Sequence, residues 1–303
     1  MGPLPSLVVL LGWFAQEDSS ATRPVWERIA SPVTEDLRAL WFANTRLGWV
    51  LGEGGTVLRT ADGGASWKVQ RQGGKAFRHR PFEHLWFKDE RRGWIAQCSC
   101  ECDLAGVWPV QFLQTADGGE TWTEVKDPTP QDRGRLIEPF SFETSTRDRW
   151  ARSHQGSVYF SPPDHQDGRI PNLLPSLAGF GKMFEARYLD VSFATRDSGT
   201  LVGAGPTGAL VLRTDDGGRS WVRQSVTGVA GTSVRRVWMS DPSEVRLVAD
   251  GSPSVWATRD GGKTWKIEWP GKSGEQVSEL AFPGRGFGLA VGKEGLLLRY
   301  SAR

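Results

Sequence analysis

Three thiols stand at alternate positions in the run Cys98-Ser-Cys100-Glu-Cys102. Thiolates so spaced could converge on one soft metal ion if the segment curls, with His79 or His84 as a fourth ligand. In an extended segment alternate residues lie about 7 Å apart, too far for an unstrained disulfide, so a bridge would need the loop to bend. The remaining reading is free thiols, since three cysteines in one cluster make no disulfide framework. His154 and His165 have no recognisable partners along the chain.

A second set of candidates is acidic. Asp62 lies in TADGGASW (60–67), Asp117 in TADGGETW (115–122), Asp216 in TDDGGRSW (214–221) and Asp260 in TRDGGKTW (258–265). A calcium loop needs several carboxylates at alternating positions, and each of these turns offers one, or two in TDDGG. A catalytic group is needed once, whereas these four are equivalent by repetition. The residue types suit a tight turn better. The carboxylate accepts backbone N–H bonds, the glycines supply positive φ, and the indole packs between sheets. The structural set is therefore Asp62, Gly64 and Trp67; Asp117, Gly119 and Trp122; Asp216, Gly218 and Trp221; and Asp260, Gly262 and Trp265.

These repeats imply the elements that carry them. Each copy is preceded by an apolar strand (LWF at 40–42 and 85–87, FSF at 140–142, VSF at 191–193, VWM at 237–239, LAF at 280–282), a second strand and a third. After the Asp-Gly-Gly turn a Trp opens a fourth. Four short strands per unit, bounded by turn residues, read as hairpin-linked antiparallel blades. Arranged radially they predict an all-β propeller. Six units can be counted, with seven as the alternative. The third, from about residue 136 to 184, has lost its Asp-box, and the sixth supplies only three strands. Trp26 in PVWERIA (24–30) precedes every other unit, and is expected to supply the missing strand and close the ring.

Bulk properties narrow the function. The chain has 303 residues, with 37 basic against 35 acidic side chains, so no global charge draws it to nucleic acid or membrane. Long helical patterns are nearly absent; Ser176–Glu185 is one weak exception. The apolar run LPSLVVLLGWFA (4–15) is too short to cross a membrane and resembles the core of an export signal. Residues 1–23 are therefore expected to be a leader or disordered segment, and 24–303 a single propeller exported from the cytoplasm.

Local charge is the remaining lead. The turns between first and second strands hold Arg46, Arg91, Arg92, Arg147, Arg149, Arg196 and Arg285, on the face that also carries the Asp-boxes. Such a ring could recruit an acidic partner, or simply keep a face soluble. On the opposite face, RQGGKAFRHR (71–80) brings Arg71, Lys75, Arg78 and Arg80 around Phe77 as a second candidate surface.

The Ser/Thr-x-Asp-x-Gly-x-Thr/Ser-Trp pattern is the Asp-box, or BNR repeat. GWVLGEGGTVLRTADGGASW (48–67) resembles the repeat of the photosystem II stability and assembly factor family. That resemblance implies a non-enzymatic propeller without a cofactor, binding a protein partner such as a membrane-complex subunit or peptide, in some members through an arginine patch. Its photosynthetic members have seven blades. A monomer is expected. Sialidases also carry Asp-boxes, and RIP at 169–171 is superficially similar to their Arg-Ile-Pro motif, but it follows the second box instead of preceding the first. The only tyrosines are Tyr159, Tyr188 and Tyr300, and two of them occupy third-strand positions. A glycan-active hydrolase of sialidase-like or other Asp-box type is the alternative function.

Overall fold

Apolar runs of four to eight residues, each closed by Gly, Asp, Asn or Ser, become short antiparallel strands. The computed structural model describes residues 25–74, 82–98, 109–125, 141–143, 149–152, 158–161, 187–226, 228–229, 233–284 and 286–302. The expected leader, the weak helical segment, the RIP motif, His79, Cys100 and Cys102 lie outside them. Among the described residues no helix is long and apolar enough to cross a membrane.

A first strand, β1 (Val25–Arg28), stands apart from its sequence neighbours. Sheet one is β2 (Leu37–Phe42), β3 (Gly48–Gly52), β4 (Val57–Thr60) and β5 (Lys68–Arg71). Sheet two is β6 (Phe82–Phe87), β7 (Gly93–Cys98), β8 (Pro109–Thr115) and β9 (Thr123–Glu124). Sheet three has three described strands, β10 (Ser141–Glu143), β11 (Arg149–Arg152) and β12 (Val158–Ser161). Sheet four is β13 (Arg187–Phe193), β14 (Gly199–Gly205), β15 (Gly208–Thr214) and β16 (Val222–Arg223). Sheet five is β17 (Val234–Met239), β18 (Val245–Ala249), β19 (Val255–Thr258) and β20 (Lys266–Trp269). Sheet six joins β21 (Val277–Gly284), β22 (Phe287–Gly292) and β23 (Leu297–Ser301) to β1, in the order β1-β23-β22-β21.

Sheets one to five are antiparallel meanders, as are β21, β22 and β23 of sheet six, and the first strands β13 and β17, β17 and β21, β21 and β2, and β2 and β6 lie against one another. That places β2, β6, β13, β17 and β21 nearest the axis of a propeller. The expected fourth strands begin one residue later than the sequence suggests, because each Asp-box Trp precedes the strand. Cys98 ends β7, opposite Pro109, so it belongs to a strand and not to the loop in which the three thiols were expected together.

The core is made between sheets. Leu37, Leu40, Val50 and Leu58 of sheet one pack on Ala281, Leu289, Val291 and Leu297 of sheet six. Ala39, Trp49, Leu51 and Val57 turn the other way, onto Phe82, Leu85, Phe87 and Ile95 of sheet two. Within sheets one, two and four a further rule operates. The last residue of the first strand faces the first residue of the second: Phe42 opposes Gly48, Phe87 opposes Gly93, and Phe193 opposes Gly199. The ring lies flat over the glycine; a Cβ on Gly199 would sit 2.4 Å from Phe193. In sheet five both partners change together, to Met239 opposite Val245. The Asp-box Trp then meets the ring edge-on, as in Phe42–Trp67, Phe87–Trp122 and Phe193–Trp221, at centroid separations of 6.4, 6.0 and 6.4 Å.

The N-terminal strand reproduces that contact. β1 pairs with β23 in register Trp26 to Tyr300, and Trp26 meets Phe282 edge-on at 5.8 Å. Trp26 is thus the missing fourth-strand Trp of sheet six, as expected. Its indole N–H donates to Glu268 Oε2 of sheet five (3.0 Å). Glu268 also accepts from Arg246 Nε (2.7 Å), whose guanidinium lies over Phe282 and Tyr300 at 4.3 and 4.4 Å. Arg246 occupies the strand position that Trp49 and Trp94 hold in sheets one and two. A buried cation, neutralised by Glu268 and flanked by two aromatic faces, replaces an indole there.

The glycine–aromatic rule gives a direct test. Gly199→Val should lower stability by about 1–3 kcal/mol through overpacking. Adding Phe193→Met, which copies the Met239–Val245 pair, should recover at least half of the loss in urea unfolding. A double variant no more stable than the single one would show that the pairing rule does not govern this contact.

Candidate functional site

The Asp-box turns form from a few hydrogen bonds. Thr60 Oγ1 donates to Asp62 Oδ1 (2.7 Å) and accepts the N–H of Gly64 (2.8 Å). Asp62 in turn accepts the Ser66 N–H (3.0 Å) and hydroxyl (2.6 Å). The same bonds recur at Thr115–Asp117–Thr121, Thr214–Asp216–Ser220 and Thr258–Asp260–Thr264. Both central glycines are left-handed in every copy, with φ of 70° and 77° at Gly63 and Gly64, so a side chain at either would be strained.

One further bond ties each box to its own sheet. Gly63 N–H donates to the carbonyl of Arg46 (2.8 Å), Gly118 to Arg91 (2.8 Å), Gly217 to Asp197 (2.9 Å) and Gly261 to Ser243 (3.0 Å). The acceptors sit in the turns between first and second strands, so both sets of turns share one face. Those turns are also held from within. Asn44 Oδ1 accepts the N–H groups of Arg46 and Leu47, and Asp89 Oδ1 those of Arg91 and Arg92.

The arginine ring expected from the sequence is therefore carried on rigid backbone, but it is not uniform. The tied position holds arginine in sheets one and two, Asp197 in sheet four and Ser243 in sheet five. Arg46, Arg91, Arg92 and Arg196 are exposed. Arg92 is paired with Asp89 at 2.6 Å. Arg149 is the first residue of β11 and not part of a turn. Arg147 and Arg285 lie outside the described residues, as do Lys75, Arg78 and Arg80 of the second candidate surface. Arg71 of that surface is half-buried and structural: Nη1 donates to the Gly55 carbonyl, and the guanidinium lies 5.8 Å from the Phe82 ring, joining sheets one and two.

The opposite end of the axis holds a feature that sequence reasoning missed. A hollow opens where first strands begin, lined by Asp36, Arg38, Arg235, Arg236, Ser278 and Lys293, with Gln276 beside them. Its construction rests on β-bulges. Pairing slips by one residue between Leu37 and Ala39, between Val234 and Arg236, and between Val277 and Glu279. The extra residues are Arg38, Arg235 and Ser278, and all three line the hollow. A bulge leaves one residue out of the ladder and re-aims its side chain, here toward the axis. The visible signal was a charge inside an apolar first strand, in LRALWF and VRRVWM. Alternation along one strand alone does not separate such a residue from one on a solvated face.

Electrostatics in the hollow are unbalanced at short range. Arg236 is buried and bonds Glu279 of the neighbouring sheet (3.0 Å). Arg38 and Arg235 reach Glu53 and Asp250 only at 3.8 Å. Burial first, and the adjacent Arg236 charge next, hold the Arg235 guanidinium below its ordinary value; Arg38 adds to the effect. Asp36 Oδ1 is engaged by the N–H of Glu294 (3.1 Å). Among the described residues no group of three or more His, Cys, Asp or Glu comes together to hold a metal ion.

The family model for "Photosynthesis system II assembly factor YCF48" matches residues 18–130. The chain is an Asp-box propeller similar to the photosystem II assembly factors. Among solved structures it resembles one described as "YCF48 bound to D1 peptide", at 19% identity over 92% of this chain and 97% of that one, with a TM-score of 0.65. YCF48 from Cyanidioschyzon merolae aligns at 18% identity over 91% and 98% of the two chains, with a TM-score of 0.59. A GH74 xyloglucanase from Xanthomonas campestris aligns at 13% identity over 90% of this chain and 53% of that one, with a TM-score of 0.54. At these identities the structural likenesses establish the fold. No curated protein sequence matches significantly.

The Asp-box carboxylates make stability depend on acid. Burial alone would raise the pKa of Asp62, but bonds from Ser66 and Thr60 hold it at about 2. At Asp117 and Asp260 the hydroxyls of Thr121 and Thr264 are the largest cause of the lowering. A pKa depressed by folding contributes stability above the unfolded value of about 3.9 and loses it as pH falls through the folded value. Stability should therefore fall between about pH 4 and pH 2, and Asp62→Asn should flatten that slope. Asp216→Ala should cost about 1–3 kcal/mol at neutral pH. Unchanged urea midpoints would contradict the structural role of these turns.

Proposed function

We propose that the chain is a non-enzymatic scaffold that recruits an acidic segment of a protein partner through the Asp-box face. The observation carrying this reading is the presentation of Arg46, Arg91 and Arg196. Their side chains are exposed, while their turns are tied down by the Asp-box glycines and by the side chains of Asn44, Asp89 and Thr195. Charges on rigid turns lose little conformational freedom on binding, which favours association. The matched YCF48 structure, described as bound to a D1 peptide, supports a peptide-like ligand for this chain too.

A glycosidase reading gains nothing from the Asp-boxes. A general acid for glycoside cleavage needs a raised pKa, and these carboxylates are held below the ordinary range. The likeness to the xyloglucanase is one of fold, and fold alone does not carry activity.

The test is charge reversal. Arg46→Glu, Arg91→Glu and Arg196→Glu together should weaken binding of a fluorescent acidic peptide by about tenfold or more at low salt. The difference should shrink as salt rises, and thermal stability should move little. Unchanged affinity at low salt would remove this face from the account.

A further inference from the structure

We infer that the axial hollow opposite the Asp-box face is a second, separate binding site, built to hold one oxyanion, a carboxylate or a phosphate group. Four cationic side chains, Arg38, Arg235, Arg236 and Lys293, line it, and they come from sheets one, five and six. Asp36 is the one carboxylate in the lining, and it already accepts the Glu294 N–H. Two of the cations have acidic neighbours only at a distance. Arg38 and Arg235 stand 3.8 Å from their acidic neighbours, beyond hydrogen-bond range. An oxyanion in the hollow would meet these guanidinium groups with charge-assisted hydrogen bonds.

Construction of the rim supports the same conclusion. Lys293 sits at the head of a 3-10 turn, Lys293–Gly295, that follows β22. The equivalent turn after β3, Glu53–Gly55, carries a left-handed glycine at its centre, Gly54. In the Lys293 turn that position is Glu294, at φ 53°, the one non-glycine residue with positive φ among the described residues. Such strain persists only where neighbours over-determine the backbone. Here the Asp36 carboxylate takes the Glu294 N–H, the Glu35 carbonyl takes that of Gly295, and the Gln276 carbonyl takes that of Lys293. The turn that presents Lys293 is thus fixed in place beside the two bulge arginines. The cavity, of about 130 Å³, is far smaller than a pocket for a sugar chain and large enough for one anionic group.

The site can be tested with simple anions on the intact chain. Inorganic phosphate and acetate are titrated separately by calorimetry at constant ionic strength, with chloride as the balancing anion. One-to-one saturable binding of at least one of them is expected. Saturation by phosphate alone assigns a phosphate-bearing ligand; saturation by acetate alone assigns a carboxylate, from a chain terminus or an acidic side chain. Arg38→Gln and Lys293→Gln should each weaken binding about tenfold or more, the loss expected for a charge-assisted hydrogen bond. Arg46→Gln, on the opposite face, should leave it unchanged. Lys293 is exposed, so its variant keeps the test valid should Arg38→Gln fail to fold. Absence of saturable binding by both anions overturns the inference, and so does binding that survives Lys293→Gln in full. Neither result bears on the Asp-box face, whose test uses different residues and a different probe.

Discussion

A single backbone hydrogen bond, from the first glycine of each Asp-box to a carbonyl in the turn before the second strand, sets the geometry on which the rest depends. Without it, the hairpin between third and fourth strands and the turn between first and second strands would be two independent loops on one rim. With it, each of the four sheets that carry a box is closed across its own end. The repeated chemistry of the four boxes serves that bond. Left-handed glycines aim the N–H, the Thr hydroxyl and Asp carboxylate hold the turn around it, and the Trp drives the following strand against its sheet. The four carboxylates are thereby engaged within the backbone, and the face they stabilise is free to vary its side chains.

Between sheets the constraint is one of shape. A flat ring laid over a glycine leaves room for the indole of the fourth strand, and the Met239–Val245 pair keeps the volume in another form. Arg246 shows how far the interface tolerates chemical change. It fills the place of an indole, and its charge is met by Glu268 and by the faces of Phe282 and Tyr300. Because Glu268 also accepts from Trp26, the same cluster fastens the N-terminal strand to the last sheet. Sheets five and six and the start of the chain thus meet at one polar knot inside an apolar interface.

Much of this was legible in the sequence. Repeated TxDGGxxW and the three apolar runs before it specify strands, turns and their order, and the unmatched Trp26 implies the completion of sheet six. The exposed arginines of the Asp-box face could be placed because their turns recur. The hollow could not. A bulge is a slip in pairing, and pairing is a property of two strands together, so Arg38 and Arg235 look like ordinary outward residues of an alternating strand. Lys293 enters through a turn whose backbone strain is visible only in three dimensions. Arg71, by contrast, looked like part of a basic surface because its sequence neighbours are basic. Its own contacts, with Gly55 and Phe82, are internal.

The central claim is that the Asp-box is a structural tie across the end of each sheet that carries it. Residue-resolved hydrogen exchange at Gly63, Gly118, Gly217 and Gly261 tests it most directly. Amides in exposed turns ordinarily exchange through small local openings, whereas a tie essential to the sheet opens only with much of the fold. The account predicts that these four amides exchange as slowly as those of the neighbouring second strands. Exchange at the rate of the surrounding exposed loop residues would contradict it.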